Sequence, residues 1–341
     1  MKEKIFVGCK GVSIGYHERS SASVVVKNNL TLNAFGGEMV CLLGGNGIGK
    51  STLLKTIAGF QLPLSGELLI HEKLVTDFSP DELAKEMSFV STDVIRVANL
   101  TVREMVGLGR FPYTNWFGQL DAEDHRIVEE AIHQVGLSGY ENRLINRISD
   151  GERQRAMVAR ALAQDTGIMV LDEPTAFLDI SNKYEIVRIL HKLAWEHGKC
   201  IIFSTHDLNT ALSMADRIWL MLDDRVIDGI PEEVASGGYF ESLFSNNPNL
   251  FFDQEKCDFR VRKKKMGNIL LTASANDLMW ASKALERLGF EIATVPGAFE
   301  SFSIAVEQND KGWSVSHAGK SVQVDSLGEL CREVKKISLQ F

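Results

Sequence analysis

Unbroken apolar runs punctuate the chain. Met39-Val40-Cys41-Leu42-Leu43, Ile168-Met169-Val170-Leu171 and Cys200-Ile201-Ile202-Phe203 carry no polar alternation, which predicts strands buried on both faces of a parallel sheet. After the first run, Ser51-Thr52-Leu53-Leu54-Lys55-Thr56-Ile57-Ala58 predicts a helix stopped by Gly59. A second compact helical stretch, Ala156 to Ala163, precedes the second run. Past residue 266 the pattern changes to short strands with two amphipathic helices. Asn268 to Ala273, Phe290 to Val295, Phe302 to Val306, Trp313 to Ser316 and Ser321 to Val324 read as strands. Asn276 to Leu288 reads as a helix ended by Gly289, with Leu278, Ala281, Leu285 and Leu288 on one face. Asp325 to Lys336 reads as a final helix capped by Asp325 or Ser326.

The chemistry sits where the runs end. Gly44-Gly45-Asn46-Gly47-Ile48-Gly49-Lys50-Ser51 joins the first strand to its helix and fits the phosphate-cradling pattern G-x-x-x-x-G-K-[ST]. Glycines let the backbone wrap an anion, and the N–H groups at the helix start point at it. The nucleotide-binding set is Gly44, Asn46, Gly47, Gly49, Lys50, Ser51 and Thr52. Lys50 would reach the β- and γ-phosphates, and the Ser51 hydroxyl would ligate Mg²⁺. Asp172 and Glu173 follow the second run, at the strand end where α/β sheets place ligands. Asp172 would hold Mg²⁺ through water, and Glu173 would polarise the water attacking the γ-phosphate. The third run ends in Ser204-Thr205-His206-Asp207, a third polar delivery to the same sheet edge.

These segments, in this order, resemble the nucleotide-binding subunit of ABC transporters over about residues 1 to 235. Gly44 to Ser51 is similar to Walker A, Ile148 to Glu152 to the ABC signature, Ile168 to Glu173 to Walker B and Ala176 to Asp179 to the D-loop. The resemblance implies a switch role for His206, a D-loop role for Asp179, and an adenine-stacking role for Tyr16. It also implies that Ser149, Gly151 and Glu152 serve the partner copy's ATP, in a sandwich of two chains. The start of the signature helix is a second anion site that pairing would aim at the same γ-phosphate. Thr101-Val102-Arg103-Glu104-Met105-Val106-Gly107-Leu108-Gly109-Arg110, Leu120-Asp121-Ala122-Glu123-Asp124 and His206-Asp207-Leu208-Asn209-Thr210-Ala211 resemble the importers of iron–siderophore, haem and cobalamin.

Three departures from the family pattern stand out. The usual Leu-Ser-Gly-Gly-Gln reads Ile148-Ser149-Asp150-Gly151-Glu152. Two acids near a phosphate oppose binding, yet Ser149 and Glu152 also form an S-x-x-E capping box, favoured in a first helical turn. Capping is the reading adopted, with Arg153 and Arg155 offsetting the charge. Thr92 stands where the Q-loop Gln touches metal and water; its hydroxyl has a shorter reach, making it the weakest of the metal candidates Ser51, Asp172 and Thr92. Gly45 replaces a common proline without harm to the cradle.

Composition fits a cytosolic subunit. The 341 residues are 45% hydrophobic and 24% charged, enough for two domains. No apolar run approaches the ~20 residues of a membrane span, and the apolar stretch at the amino terminus is too short for a signal peptide. Five scattered cysteines indicate neither a disulfide framework nor a zinc site. A net charge of −8 argues against a nucleic-acid surface.

The expected fold class is α/β: a P-loop NTPase of ABC type, with a central mainly parallel sheet, an antiparallel β subdomain and an inserted helical subdomain, plus a small C-terminal α+β domain. Residues 1–250 would form the ATPase domain, 251–266 a linker, and 267–341 an accessory domain without a readable motif. Residues 1–27 would flank the nucleotide and 85–160 would form the helical insertion, whose aromatic segment 111–117 either docks a membrane partner or packs its own core. Asn246-Asn247-Pro248-Asn249 signals a turn, and the basic run 260–265 reads as a solvated linker or a contact with an anionic membrane face. The expected function is an ATP-hydrolysing importer subunit requiring ATP and Mg²⁺. It would work as a pair of copies with separate permease subunits and, indirectly, a substrate-binding protein, on the cytoplasmic face of the inner membrane. An exporter subunit, a soluble ABC ATPase acting on nucleic acid or ribosomes, and a non-hydrolysing interaction protein are the alternatives.

Overall fold

The amino-terminal strands are long because their apolar residues alternate and bury one face. β1 (Ile5–Tyr16) turns Val7, Cys9, Val12 and Ile14 inward, and β2 (Val24–Phe35) does the same with Leu30, Leu32 and Ala34. The structure, a computed structural model, describes residues 4–16, 23–92, 99–114, 118–244, 249–254, 257–295 and 304–339. Residues 17–22, most of the turn expected at 246–249, and 115–117 of the aromatic segment therefore lie outside the described residues.

β3 (Met39–Gly44) runs into α1 (Lys50–Ile57), followed by β4 (Ser65–Ile70), β5 (Lys73–Leu74), α2 (Pro80–Glu86) and β6 (Met87–Val90). Next come α3 (Val102–Gly107), α4 (Ala122–Gln134), α5 (Asp150–Ala163), β7 (Ile168–Leu171), α6 (Ile180–His197), β8 (Cys200–Thr205), α7 (Leu208–Met214), β9 (Arg217–Met221), β10 (Val226–Gly229) and α8 (Pro231–Ser236). The central sheet has the order β10-β9-β3-β8-β7-β6 and is parallel except for β10. A four-stranded antiparallel sheet has the order β2-β1-β4-β5.

Both faces of the central sheet are covered, which explains its unbroken apolar strands. Along β3, Val40 and Leu42 join the core shared with the antiparallel sheet and α1, whereas Met39, Cys41 and Leu43 join the core under the helices. Complete burial pushes the Cys41 and Cys200 thiols above their ordinary range, so both act as small apolar residues. The helical insertion starts later than residue 85: α2 precedes it and β6 belongs to the sheet. Inside it, Arg110 donates to Asp124 at 2.7 Å and to the Ala163 carbonyl at 2.9 Å, a buried pair tying the end of α3's turn to α4 and α5.

The chain divides into two compact units, Met1–Pro248 with Phe252–Phe259, and Asn249–Phe251 with Arg260–Phe341. Segment 251–266 carries structure of its own, a two-stranded hairpin of β11 (Leu250–Asp253) and β12 (Asp258–Val261). Phe252 and Phe259 belong to the first unit, where their rings lie 4.9 and 6.4 Å from that of the fully buried Phe240. The second unit comprises β13 (Gly267–Thr272), α9 (Ala275–Arg287), β14 (Phe290–Ala293), β15 (Ile304–Asn309), β16 (Gly312–His317), β17 (Lys320–Val324) and α10 (Leu327–Ser338). Its sheet order is β14-β13-β15-β16-β17, and Ile269, Leu271, Ile304, Val306 and Val315 pack on Ala281, Leu285, Leu330 and Val334 of the helices. Ser326, not Asp325, caps α10. The basic run is folded onto this unit: Lys263 Nζ donates to the Arg287 carbonyl at 2.9 Å, and Lys265 pairs with Glu291 at 2.6 Å. A cation on the final carbonyls of α9 complements the helix dipole.

Candidate active site

The turn at residues 45–49 is built by backbone requirement. Gly47 and Gly49 have φ of 75° and 112°, the left-handed region that only glycine enters without cost. A Cβ at Gly49 would also strike Val26, whereas nothing stands within 4 Å of a Cβ placed at Gly45 or Gly47. The loop is thus tight against the fold on one side and open on the other, as a phosphate cradle needs. Lys50 is 6% exposed, and its Nζ donates to the carbonyls of Gly44 and Gly45 at 3.0 and 3.1 Å. Tyr16, at the end of β1, is half exposed and shares a hydrogen bond with Thr52 Oγ1 of α1's first turn. The predicted adenine-side aromatic is thereby tied to the cradle helix.

β7 and β8 bring the remaining chemistry to the same edge. Asp172 is 6% exposed, and its Oδ1 accepts from the Ser204 hydroxyl at 2.7 Å. Glu173 has φ 46°, unusual for a residue with a side chain. Its Oε1 lies 3.8 Å from Lys50 Nζ, and its Oε2 lies 3.8 Å from Nδ1 of the largely exposed His206. Three separate strand ends therefore converge on one carboxylate. Thr92, just beyond β6, donates its hydroxyl to the Asp172 carbonyl at 2.9 Å; the contact observed for it is Walker B backbone. The sequence places Ser204 in the polar stretch at this strand end but gives it no role of its own; its local signal is a hydroxyl closing an apolar run.

The signature segment forms the start of α5. Ser149 is the N-cap: its N–H and hydroxyl donate to Glu152 Oε2 at 2.7 and 2.8 Å, and the Glu152 N–H donates to Ser149 Oγ at 3.3 Å. The Ser149 N–H holds the Glu152 carboxyl below the usual carboxylate range. Arg153 offsets Asp150 at 2.7 Å, and Arg155, whose ion pair is with Glu185 at 2.6 Å, adds its charge to the lowering of the Glu152 carboxyl, so both arginines offset the signature acids as expected. Asp179 caps α6, accepting from the N–H of Asn182 at 2.8 Å, and a Cβ on Gly151 would strike the Asn182 side chain. D-loop and signature thus meet within one copy. Phe177 beside them is 91% exposed.

Two further surfaces carry exposed aromatic residues. In the aromatic segment, Tyr113 packs over the Arg110 guanidinium at 4.1 Å while Phe111 is exposed, so the run divides between self-packing and surface. A groove of about 410 Å³ lies between the end of α1 and α2, lined by Phe60, Leu62, Phe78, Leu83 and Phe89.

A cradle lysine, two carboxylates and a histidine on one edge of a parallel sheet, with a capped signature helix in the insertion, define an ATP-binding cassette. The ABC transporter family matches residues 27–176, and the iron ABC transporter C-terminal domain matches residues 266–335. The chain is 37% identical over 240 residues to the petrobactin import ATP-binding protein FpuC of Bacillus anthracis, covering 69% of this chain and 88% of that one. It is 34% identical over 243 residues to the iron(3+)-hydroxamate import ATP-binding protein FhuC of Bacillus subtilis, covering 71% and 88%. Among solved structures it is similar to the dimeric MJ0796 bacterial ABC transporter cassette, with 30% identity and a TM-score of 0.58 over 66% of this chain and 98% of that one. The chain belongs to the ATP-hydrolysing ABC transporter ATP-binding family.

Proposed function

We propose that this chain is the ATPase subunit of an iron-chelate importer, acting as a pair of copies on separate transmembrane permease subunits and, through them, a substrate-binding protein. One observation carries the reading: a single chain joins an ABC cassette to an iron ABC transporter C-terminal domain. Relatives named for petrobactin, iron-hydroxamate and, in Escherichia coli, ferric enterobactin support an iron–siderophore over haem or cobalamin. No helix among the described residues is long and apolar enough to cross a membrane, so transport would fall to other chains. The apolar groove beside Phe60 and Phe89 supports a permease segment as its occupant. That contact would place the chain on the cytoplasmic face of the inner membrane.

In this reading the residues act as follows. The open cradle and Lys50 bind the β- and γ-phosphates, and Tyr16 stacks on adenine. Hard oxygen donors suit Mg²⁺, and the set here fits: the Ser51 hydroxyl and the Asp172 carboxylate, whose Oδ2 has no hydrogen-bond partner among the described residues. The ion, when bound, neutralises phosphate charge. Glu173 accepts a proton from the attacking water, and its left-handed backbone sets the carboxylate between Lys50 and His206. His206 is placed to hold that carboxylate and the γ-phosphate in line. Ser149 and Gly151 present their helix start to the nucleotide of the partner copy, with Asp179 ordering the intervening turn.

The test is genetic and biochemical. A strain lacking this chain is fed ferric siderophores, haem or cobalamin as the limiting nutrient. Loss confined to ferric siderophores, restored by the intact chain and not by Lys50→Ala, is the expected result. Normal siderophore uptake with loss of another substrate overturns the substrate class.

A further inference from the structure

Ser204 is buried completely where β8 passes from the apolar residues 200–203 to Ser204 and Thr205. Burying a hydroxyl is costly unless it is hydrogen-bonded, and packing alone would be served by another aliphatic residue. This hydroxyl is used in both senses: it donates to Asp172 Oδ1 at 2.7 Å and accepts from the Glu173 N–H at 2.8 Å. A serine has one proton and two lone pairs, so a single atom fixes both the carboxylate of one residue and the backbone of the next. The fixed backbone is the left-handed one, φ 46° at Glu173, a conformation that persists only where the surroundings hold it. From there the Glu173 carboxylate reaches Lys50 and His206. His206 lies two positions beyond Ser204, so the clamp also ties the strand end bearing the histidine to the strand end bearing the carboxylates. Thr92 holds the Asp172 carbonyl from the other neighbouring strand.

We propose that Ser204 is a positioning residue for ATP hydrolysis, orienting Asp172 toward its metal and Glu173 toward the attacking water. The inference rests on the roles given above to Asp172 and Glu173. It predicts two separable losses without a loss of fold.

The experiment compares the full chain with Ser204→Ala, Ser204→Thr and Glu173→Gln. ATP affinity is measured in EDTA and again with Mg²⁺, alongside kcat and melting temperature. Ser204→Ala is expected to bind ATP in EDTA like the parent, to lose most of the affinity gained on adding Mg²⁺, and to lose between about 10- and 100-fold in kcat. Ser204→Thr, which keeps the hydroxyl, should recover most of both. If the alanine protein does not fold, Ser204→Cys keeps the size with a poor hydrogen-bonding group and is read identically. An unchanged Mg²⁺ gain together with unchanged kcat overturns the inference. So does a fall in kcat that merely tracks falling EDTA affinity and melting temperature. Normal turnover by Glu173→Gln would instead remove the base assignment, leaving the Mg²⁺-linked affinity to judge Ser204 through Asp172.

Discussion

The Glu173 carboxylate stands 3.8 Å from the Lys50 ammonium, joining the ends of two strands that are separated in the sheet by β8. This pairing puts the proposed base beside the group that would grip the γ-phosphate. Glu173→Gln keeps the shape and removes the charge. It should still bind ATP and hold a dimer closed, while phosphate release falls by about 100-fold or more. Near-normal turnover would exclude Glu173 as the base.

The signature and the cradle should complement between copies. Lys50 is buried in its own cradle, whereas Ser149 faces outward at the start of α5. A Lys50→Ala chain and a Ser149→Ala chain damage different halves of each composite site. Mixed, they should leave one intact site per heterodimer and measurable phosphate release where neither parent has any. A strictly monomeric Glu173→Gln protein in the presence of ATP would refute this.

The capping box at α5 carries a pH signature. The Glu152 carboxyl is held below its ordinary range by the Ser149 N–H. A depressed carboxyl contributes stability that is fully present above the unfolded value, about pH 4.3, and is lost as pH falls through the lower folded value. Glu152→Gln should therefore be slightly less stable than the parent at pH 7, by at most about 0.5 kcal/mol because solvent screens an exposed charge at a helix start. The two should converge under acid denaturation. A difference that does not shrink at all as pH falls below the unfolded value would assign the effect to something other than the charge.

The boundary between the two units makes truncation position-sensitive. Phe252 is 4% exposed and closes on Phe240 within the first unit. A chain ended at residue 262 keeps the whole hairpin and should fold and hydrolyse ATP, since every proposed phosphate-handling residue precedes residue 210. A chain ended at residue 250 uncovers Phe240, and losing a buried phenylalanine costs about 3–5 kcal/mol. Melting temperature and ATPase rate separate the two. A folded but inactive 262-residue chain would show that the carboxy-terminal unit completes the site.

Much of the architecture was legible along the chain because its signals are local. Unbroken apolar runs located β3, β7 and β8, and helix stops appeared where Gly59 and Gly289 stand. The G-x-x-x-x-G-K-S spacing marked the cradle because phosphate binding imposes both glycines and lysine within one turn. The S-x-x-E pattern announced the cap at Ser149 for the same reason, all its partners lying within four residues. What sequence alone could not settle depends on residues far apart in the chain. Arg155 does offset Glu152 through its charge, as its nearness along α5 suggests, but its direct ion pair is with Glu185, which only α6 brings to it. The segment after residue 250 looked like a linker because its short strands lack strong patterning, and only packing against Phe240 reveals where the first unit ends. Ser204 was placed at the polar strand end without a role for the same cause: a hydroxyl has no periodicity, and its meaning comes from the neighbouring strand that brings Asp172 and Glu173 to it. Local sequence determined the elements and the motif chemistry, whereas the sheet order, through contacts between distant strand ends, decided which side chains share a site.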